Sequence, residues 1–334
     1  MNTPLEERHE RFDLLVSNLE DSMAVLALVD LGVFNLLYED AYSAQGLAHE
    51  TQTDAFRLSR FLNLAVGLGY IKKKEDRYSL FEEDRPLFDP KERHSKGHRL
   101  NGLKKRLKSY GQAIEVLKSG VPLEVAGSGG DVSEEERRGF LTYLHHSSIP
   151  SAQEVAQWST LFSVSEVLDI GAGAGTYLYE ILKQHPQARG TWVDRENAIP
   201  LGQETATHEG VIERVNFHGG DFFEDDLGNG FDFVILSNLV HCFDIPANQR
   251  LIAKLAAAMP PGGHLLIKDF DVDDARTGPL KSLRFGVTMA LVGNDGDTFS
   301  ENDVKEMVRP AGLCHKLTFR MKESPHSYGI LFEK

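Results

Sequence analysis

The spacing of apolar residues changes character near the middle of the chain. Before residue 150, apolar residues recur at intervals of three and four, which is typical of amphipathic helices. One stripe of this kind comprises Phe12, Leu15, Val16, Leu19, Met23 and Leu26. A second comprises Leu58, Phe61, Leu62, Ala65 and Leu68. After Ser165, short apolar runs alternate with helical segments, which predicts βαβ units around a parallel sheet. The pattern therefore predicts a helical domain over residues 1–150 and an α/β domain over residues 151–334.

The N-terminal domain has the outline of a winged helix. Ser43 is a suitable N-cap for one helix, the stripe that begins at Leu58 supplies a second, and the charged residues 72–77 predict a turn between two short strands. Such a domain either reads DNA or packs against another chain. Residues 1–100 contain 13 basic and 18 acidic side chains, and a DNA reader needs a basic face. We therefore expect a packing or dimerisation module.

Residues 100–117 carry a further helical pattern. The apolar positions there alternate in spacings of three and four, as in the seam of a coiled coil, and they are Leu100, Leu103, Leu107, Tyr110, Ile114 and Leu117. A dimer interface and ordinary core packing both explain this pattern. A Gly- and Ser-rich stretch from Ser119 to Glu136 follows and predicts a loop.

Composition narrows the class of protein. The net charge of the 334 residues is −14, so a phosphate backbone is repelled on average and nucleic acid is a poor partner. The N-terminus is too charged for a signal peptide, and the longest apolar stretch is too short to span a bilayer. Two cysteines, Cys242 and Cys314, exclude a disulfide scaffold and fit a reducing compartment. We expect a cytoplasmic protein without a membrane partner.

The first strand of the α/β domain, EVLDI, runs directly into the glycine-rich sequence GAGAGT. Gly171, Gly173 and Gly175 predict a tight strand-to-helix turn at which a ligand can approach bare backbone. Thr176 occupies the position at which a dinucleotide-binding fingerprint requires glycine or alanine. The loop also lacks the Gly-Lys-Ser/Thr ending that is typical of a P-loop. A purely structural turn remains an alternative.

Polar residues also follow the next strands, where ligands bind in open α/β sheets. Asp194 lies 19 residues after Gly175, which suits a carboxylate that accepts hydrogen bonds from ribose hydroxyls. Asp221 is a candidate acceptor for an adenine amino group, with the Phe222 ring against the base. Helix N-capping is the alternative for both acids. His241 ends the fourth strand, and imidazole is suited to take a proton near neutral pH.

These motifs, VLDIGAGAG, VDREN, GGDFF, NLVHCFD and MPPGGHLLIKD, resemble the class I S-adenosylmethionine-dependent methyltransferases. More narrowly, the chain resembles the small-molecule O-methyltransferases that carry an N-terminal winged-helix dimerisation domain, over nearly its whole length. The resemblance implies a Rossmann-like α/β sheet preceded by a helical winged-helix domain, a homodimer, and S-adenosylmethionine as the cofactor. The acceptor would be a small organic molecule methylated on a hydroxyl, and we expect that hydroxyl to be phenolic.

The resemblance also implies roles for individual residues. Gly171, Gly173 and Gly175 would pass under the methionine part of the cofactor, Asp194 would hold the ribose, and Asp221 with Phe222 would hold the adenine. His241 would be the general base. Asp269, 28 residues further on, stands where the family usually has a glutamate that orients the histidine. Asp is one methylene shorter than Glu.

Two positions depart from the plant members of the family. Thr298 replaces a second glutamate, and Cys242 follows His241 where those enzymes have Asp or Trp. His145 and His146 are further candidates for the pocket, with helix surface as the alternative. The replaced glutamate leaves open carbon or nitrogen methylation and a hydroxylase-, decarboxylase- or cyclase-like reaction on the same fold. The winged helix separately leaves open a ligand-sensing DNA-binding regulator, against which the acidic N-terminal half argues. We expect no metal site, because His241 and Asp269 alone make too few ligands.

Overall fold

Two compact units make up the chain. The computed structural model describes residues 4–89, 107, 109–123, 134–292 and 296–334. Backbone contacts separate one unit that ends at Tyr110 from another that begins at Gly111. The predicted domain boundary at residue 150 falls inside a helix of the second unit, Glu134–Ser159. As a functional boundary it stays a prediction, which limited proteolysis would test.

The first unit is a helical domain with a small sheet. Its helices are α1 (Pro4–Asp30), α2 (Val33–Glu39), α3 (Ala44–Glu50), α4 (Ala55–Gly67) and α5 (Arg85–Phe88). Its antiparallel strands, in the order β1-β3-β2, are β1 (Tyr42–Ser43), β2 (Lys72–Lys74) and β3 (Arg77–Ser79). The predicted helix start at Ser43 is confirmed, because its side chain accepts a hydrogen bond from the Gly46 amide. The predicted hairpin is present as β2–β3, but its turn is shorter than predicted, because Lys72–Lys74 and Arg77 belong to the strands and only residues 75 and 76 connect them.

Only part of the predicted apolar stripes is buried within the chain. In α4, Leu58, Leu62 and Ala65 lie in the core, whereas Phe61 and Leu68 are exposed. In α1 the stripe is largely exposed. Among the described residues no single helix is long and apolar enough to cross a membrane, although the bent pair Leu5–Asp30 and Val33–Glu39, at 62°, passes on length and composition.

The second unit is a seven-stranded sheet with helices on both faces. Its helices are α6 (Ala113–Ser119), α7 (Glu134–Ser159), α8 (Thr176–Gln184), α9 (Ile199–His208), α10 (Ile245–Ala258), α11 (Leu280–Val292) and α12 (Glu301–Val308). Its strands are β4 (Glu166–Ile170), β5 (Arg189–Asp194), β6 (Val215–Gly219), β7 (Phe233–Ser237), β8 (His264–Phe270), β9 (Cys314–Arg320) and β10 (Ser327–Glu333).

The strand order is β6-β5-β4-β7-β8-β10-β9, and the first five of these strands are parallel. All five were predicted from their apolar runs, and β4, β7 and β8 are almost fully buried because helices cover both faces of the sheet. The chain adds β5 and β6 on one side of β4 and then β7 and β8 on the other side. At such a switch point the carboxyl ends of β4, β5 and β7 form the crevice in which open α/β sheets bind ligands.

Some parts of the chain differ from the sequence predictions or lie outside the described residues. The antiparallel strands β9 and β10 were not predicted. Residues 280–292, whose apolar spacing fits neither period, form the helix α11. In the predicted seam over residues 100–117, Leu100 and Leu103 lie outside the described residues, whereas Leu107, Tyr110, Ile114 and Leu117 are exposed and do not belong to the core of the described chain. Most of the predicted loop over residues 119–136 lies outside the described residues.

Candidate active site

The glycine loop joins β4 to α8 in a conformation that requires glycine. Gly171, Gly173 and Gly175 have φ angles of 68°, 57° and 81°, in the left-handed region that other residues avoid. A Cβ on Gly175 would lie 2.1 Å from the Tyr179 ring, and one on Gly171 would lie 2.7 Å from Leu239. The predicted turn is therefore present, and its backbone is closely packed on the protein side.

Asp194, at the end of β5, turns its carboxylate toward this loop. Its Oδ2 accepts a hydrogen bond of 2.7 Å from the Gly173 amide, and its Oδ1 accepts one of 2.7 Å from the Arg195 amide. The carboxylate links β5 to the glycine loop, so the alternative prediction of a helix N-cap does not describe it. Burial raises the pKa of Asp194, while the two amides act in the opposite direction.

The turn after β6 carries Asp221 and Phe222. The Oδ1 of Asp221 accepts a hydrogen bond of 2.8 Å from the Phe223 amide, so this side chain also stabilises its own turn. Phe222 is half-buried and packs against Phe223 and Phe243.

A lysine that sequence reasoning missed organises the same turn from α10. The Lys254 ammonium donates hydrogen bonds of 3.0, 2.9 and 2.5 Å to the backbone carbonyl oxygens of Phe222, Phe223 and Asp225. Nothing in the local sequence points to this contact, because Lys254 lies about 30 residues away on an amphipathic helix.

His241 lies in a short 3-10 turn after β7 and is held by Asp269 of β8. Its Nδ1 is 2.6 Å from Asp269 Oδ1, and its backbone amide donates a hydrogen bond of 3.3 Å to Oδ2. The predicted partners are thus brought together, and the shorter aspartate side chain reaches the imidazole. Both side chains are almost fully buried.

Aromatic rings surround the His241 imidazole. The ring of Phe285, on α11, lies edge-to-face at a centroid distance of 4.7 Å, and Phe270 lies 5.8 Å away. Burial by itself lowers the pKa of His241, but the Asp269 carboxylate and the neighbouring Cys242 thiol outweigh it and raise that pKa above its ordinary value. The carboxylate therefore makes the His241 imidazole more basic than an ordinary histidine.

Asp169, in β4, is a second residue that the sequence analysis overlooked. It is 1% exposed, and neither carboxylate oxygen forms a hydrogen bond of normal geometry with another described residue. Burial raises its pKa to about 8. An acidic residue inside the otherwise apolar run EVLDI, two positions before Gly171, was the available signal.

The remaining candidates have the following places. His145, on α7, forms a 2.9 Å contact with the Thr176 hydroxyl, at the start of α8, and His146 lies beside it. Thr298 is 3% exposed, and a Cβ on Gly286 would lie 3.4 Å from its hydroxyl. Gly296 packs closely against the turn that carries His241, since a Cβ there would lie 2.0 Å from the His241 carbonyl oxygen. Within the described ranges no group of three or more His, Cys, Asp or Glu side chains is arranged to hold a metal ion.

Known families share this arrangement. Residues 120–314, more than half of the chain, match the O-methyltransferase domain, and residues 14–82 match the O-methyltransferase dimerisation domain. The chain belongs to the O-methyltransferase family. The enzyme uses S-adenosylmethionine as its methyl donor.

Several relatives of this O-methyltransferase have known activities. It is 31% identical to 3-hydroxy-5-methyl-1-naphthoate 3-O-methyltransferase from Streptomyces sahachiroi over 223 residues, which are 66% of this chain and 64% of the relative, just under two thirds of that protein. It is 27% identical to the tetracenomycin polyketide synthesis 8-O-methyltransferase TcmO from Streptomyces glaucescens, over 87% of each chain.

The fold has counterparts among solved structures. The human N-acetylserotonin methyltransferase in complex with S-adenosylmethionine superimposes with a TM-score of 0.81 at 20% identity, covering 100% of this chain and 99% of that one. At this identity the likeness shows the shared fold. The predicted Rossmann-like α/β sheet with an N-terminal helical region is confirmed, while the roles of individual residues stay predictions.

Proposed function

We propose that this O-methyltransferase transfers the methyl group to a phenolic hydroxyl of a small aromatic molecule, with His241 as general base and Asp269 as its orienting carboxylate. The observation that carries this proposal is the 2.6 Å contact between His241 Nδ1 and Asp269 Oδ1 at the carboxyl end of the sheet. A carboxylate on Nδ1 fixes the tautomer and leaves Nε2 free to accept a proton.

The groups around the glycine loop suit the cofactor. Each carboxylate oxygen of Asp194 already accepts one hydrogen bond from a backbone amide and retains a lone pair for a ribose hydroxyl. Asp221 and Phe222 would hold the adenine, and Gly171, Gly173 and Gly175 would leave room for the methionine part. The buried carboxyl of Asp169, without a normal hydrogen bond in the described protein, suits a cationic group at that end.

When bound, S-adenosylmethionine supplies a methyl group on a positively charged sulfur. His241 removes the proton of the acceptor hydroxyl as the oxygen attacks, and Asp269 stabilises the imidazolium that forms. Proton removal of this kind contributes roughly 10²–10⁴-fold to a rate. Alignment of the two reacting groups adds on the order of 7–11 kcal/mol in well-oriented pairs.

The relatives support an aromatic hydroxyl as the acceptor group. The Streptomyces sahachiroi enzyme is named for methylation of a hydroxynaphthoate, and the mitomycin 6-O-methyltransferase of Streptomyces lavendulae is 26% identical over 87% of this chain. The rings of Phe285 and Phe270, which stack on each other at a centroid distance of 4.0 Å, form an apolar wall beside His241 that suits a flat acceptor.

The cofactor assignment is tested first, by calorimetric titration with S-adenosylmethionine and S-adenosylhomocysteine. We expect micromolar binding that Asp194→Ala abolishes. Asp232→Ala is the matched control, because the Asp232 carboxylate also accepts two backbone amides, at the opposite end of β4. Equal binding by Asp194→Ala and wild type would contradict the assignment of the ribose site.

The reaction is tested by a screen of hydroxynaphthoates and simple phenols, read by mass spectrometry. A product heavier by one CH₂ unit, with the methyl on oxygen, supports the proposal. Methylation on nitrogen or carbon, or a product without the added methyl group, would contradict it.

We further propose that the chain functions as a homodimer through the first unit. The matched dimerisation domain overlaps α1, whose apolar side chains Phe12, Leu15 and Leu19 are 70%, 65% and 60% exposed. A second copy of the chain would bury them. Analytical ultracentrifugation should give a dimer that Leu15→Glu dissociates. A cytoplasmic location and the lack of nucleic-acid and membrane partners remain predictions from the charge and cysteine content.

A further inference from the structure

The turn that carries His241 is held by two consecutive residues of β8, from opposite faces of the sheet. On one face, Asp269 contacts the imidazole and the backbone amide of His241. On the other face, the Lys268 ammonium donates a hydrogen bond of 2.7 Å to the side-chain oxygen of Asn238. Neighbouring residues of a strand point to opposite faces, which is why one dipeptide reaches the turn from both sides.

Asn238 is fixed at a second point by the same lysine. Its backbone amide donates a hydrogen bond of 2.7 Å to the Lys268 carbonyl oxygen. Its φ is 53°, a left-handed conformation that costs a non-glycine residue on the order of 1 kcal/mol and persists where surrounding contacts impose it. This residue sets the direction in which the chain leaves β7, three residues before His241.

Lys268 is an unusual side chain for the interior of a sheet. It is 5% exposed, and its hydrogen-bond partner is a neutral amide. An ammonium in such a place loses its hydration, and an apolar side chain of similar size is often at least as stable there. Stability therefore does not account for the lysine, whereas its contact with the catalytic turn does.

We propose that Lys268 is a positioning residue, which holds Asn238 and thereby places the His241 imidazole against Asp269. Its effect on turnover rests on the proposed role of His241 as the base. Its effect on the hydrogen bond between His241 and Asp269 does not, and that bond can be observed without an acceptor substrate.

The hydrogen bond is observed in the ¹H–¹⁵N spectrum of enzyme labelled at histidine and loaded with S-adenosylhomocysteine. A short N–H···O⁻ bond moves its proton strongly downfield. The His241 Nδ1 resonance is identified by its loss in His241→Ala. In Lys268→Met we expect this resonance to shift upfield or broaden, with affinity for S-adenosylhomocysteine changed less than about twofold and turnover of a phenol from the screen reduced about ten- to a hundredfold.

Asn238→Gly tests the hydrogen bond between Lys268 and the Asn238 side chain directly. Glycine accepts the left-handed backbone and keeps the amide-to-carbonyl hydrogen bond, while the side-chain oxygen that contacts the ammonium is removed. We expect the same change in the spectrum, and a double variant whose turnover is no lower than that of either single variant within about twofold. If Lys268→Met fails to fold, Asn238→Gly decides the matter.

Lys316→Met is the control, since Lys316 pairs with Glu333 at the sheet edge, and it should leave the resonance and the turnover unchanged. An unchanged His241 resonance in folded Lys268→Met or Asn238→Gly would overturn the proposal, and so would losses of turnover that add in the double variant. Full activity of His241→Ala would instead remove His241 as the base, and the spectra would still decide the role of Lys268.

Discussion

The two sides of the crevice are built in different ways. At the ends of β4 and β5, the shape comes from backbone conformation, because three glycines with positive φ place the loop against Asp194. At the ends of β7 and β8, it comes from buried side chains, because Lys268 and Asp269 reach across to the turn after the neighbouring strand. In the proposed function, the first side would present open backbone to the cofactor, and the second would present a proton acceptor to the substrate.

This difference predicts which property is lost when a residue on each side of the crevice is substituted. A change on the glycine side should weaken cofactor binding or folding, because backbone strain is felt before any reaction occurs. A change on the histidine side should leave cofactor binding intact and slow the transfer, because it alters proton removal. Each of the following variants tests whether the two sides are separable in this way.

His241→Ala should have the largest effect. We expect turnover to fall by roughly 10²–10⁴-fold, the usual contribution of a general base, with the affinity for S-adenosylhomocysteine nearly unchanged. Steady-state kinetics and calorimetry measure the two quantities. His264→Ala is a matched control, because this histidine pairs with Glu333 at the opposite end of β8. Parallel loss of binding and turnover in His241→Ala would show that the two sides are not separable.

Gly175→Ala should be the most damaging change on the other side. Alanine is less stable than glycine in a left-handed conformation, and its Cβ would lie 2.1 Å from the buried Tyr179 ring. We therefore expect the free energy of unfolding to fall by about 2–4 kcal/mol. Gly173→Ala is the matched variant, because its Cβ would find only Leu141 at 3.7 Å, and it should cost about 1–2 kcal/mol. Denaturant unfolding gives both values, and equal losses would refute the packing argument.

The same contrast explains what the sequence could predict. The glycine loop, Asp194 and the five parallel strands follow from local pattern, since each signal lies within a few residues of the element that it forms. The side-chain contacts of Lys254 and Lys268 do not, because they join residues about 30 positions apart that only the folded sheet brings together. Asp169 had a local signal that was overlooked. The edge strand β9 has exposed positions and mixed charges, which weaken a strand pattern. β10, in contrast, is an almost fully buried apolar run, so it had a local signal that was also overlooked.

Asp269→Asn should reduce maximal turnover by about ten- to a hundredfold and move its pH dependence. The carboxylate holds the pKa of His241 above its ordinary value, so the imidazole becomes a base only as pH rises through that raised pKa. Wild-type turnover should therefore still climb with pH above the ordinary histidine value, toward the raised pKa of about 10. Without the charge, burial lowers the pKa, and the rise should begin at lower pH. A pH–rate profile that is identical in both proteins would contradict this coupling.

Lys254→Met should have the smallest effect, and it addresses the cofactor side through a side chain. The ammonium binds three carbonyl oxygens of the turn that carries Phe222, so its loss should loosen that turn without removing a group that touches the adenine. We expect affinity for S-adenosylhomocysteine to fall about three- to tenfold, which corresponds to the loss of roughly one net hydrogen bond. Turnover at saturating cofactor should stay near that of wild type.

The control for this variant is Lys334→Met, because Lys334 also donates to a backbone carbonyl oxygen, that of Met259, away from the crevice. Calorimetry with adenosine sharpens the test. If Lys254 acts through the adenine turn, the affinity for adenosine should fall by the same factor as that for S-adenosylhomocysteine, since the free energy is lost at the part that both ligands share. A fall in turnover without a fall in affinity would place Lys254 with the histidine side of the crevice, and the division between a backbone-built and a side-chain-built edge would then have to be redrawn.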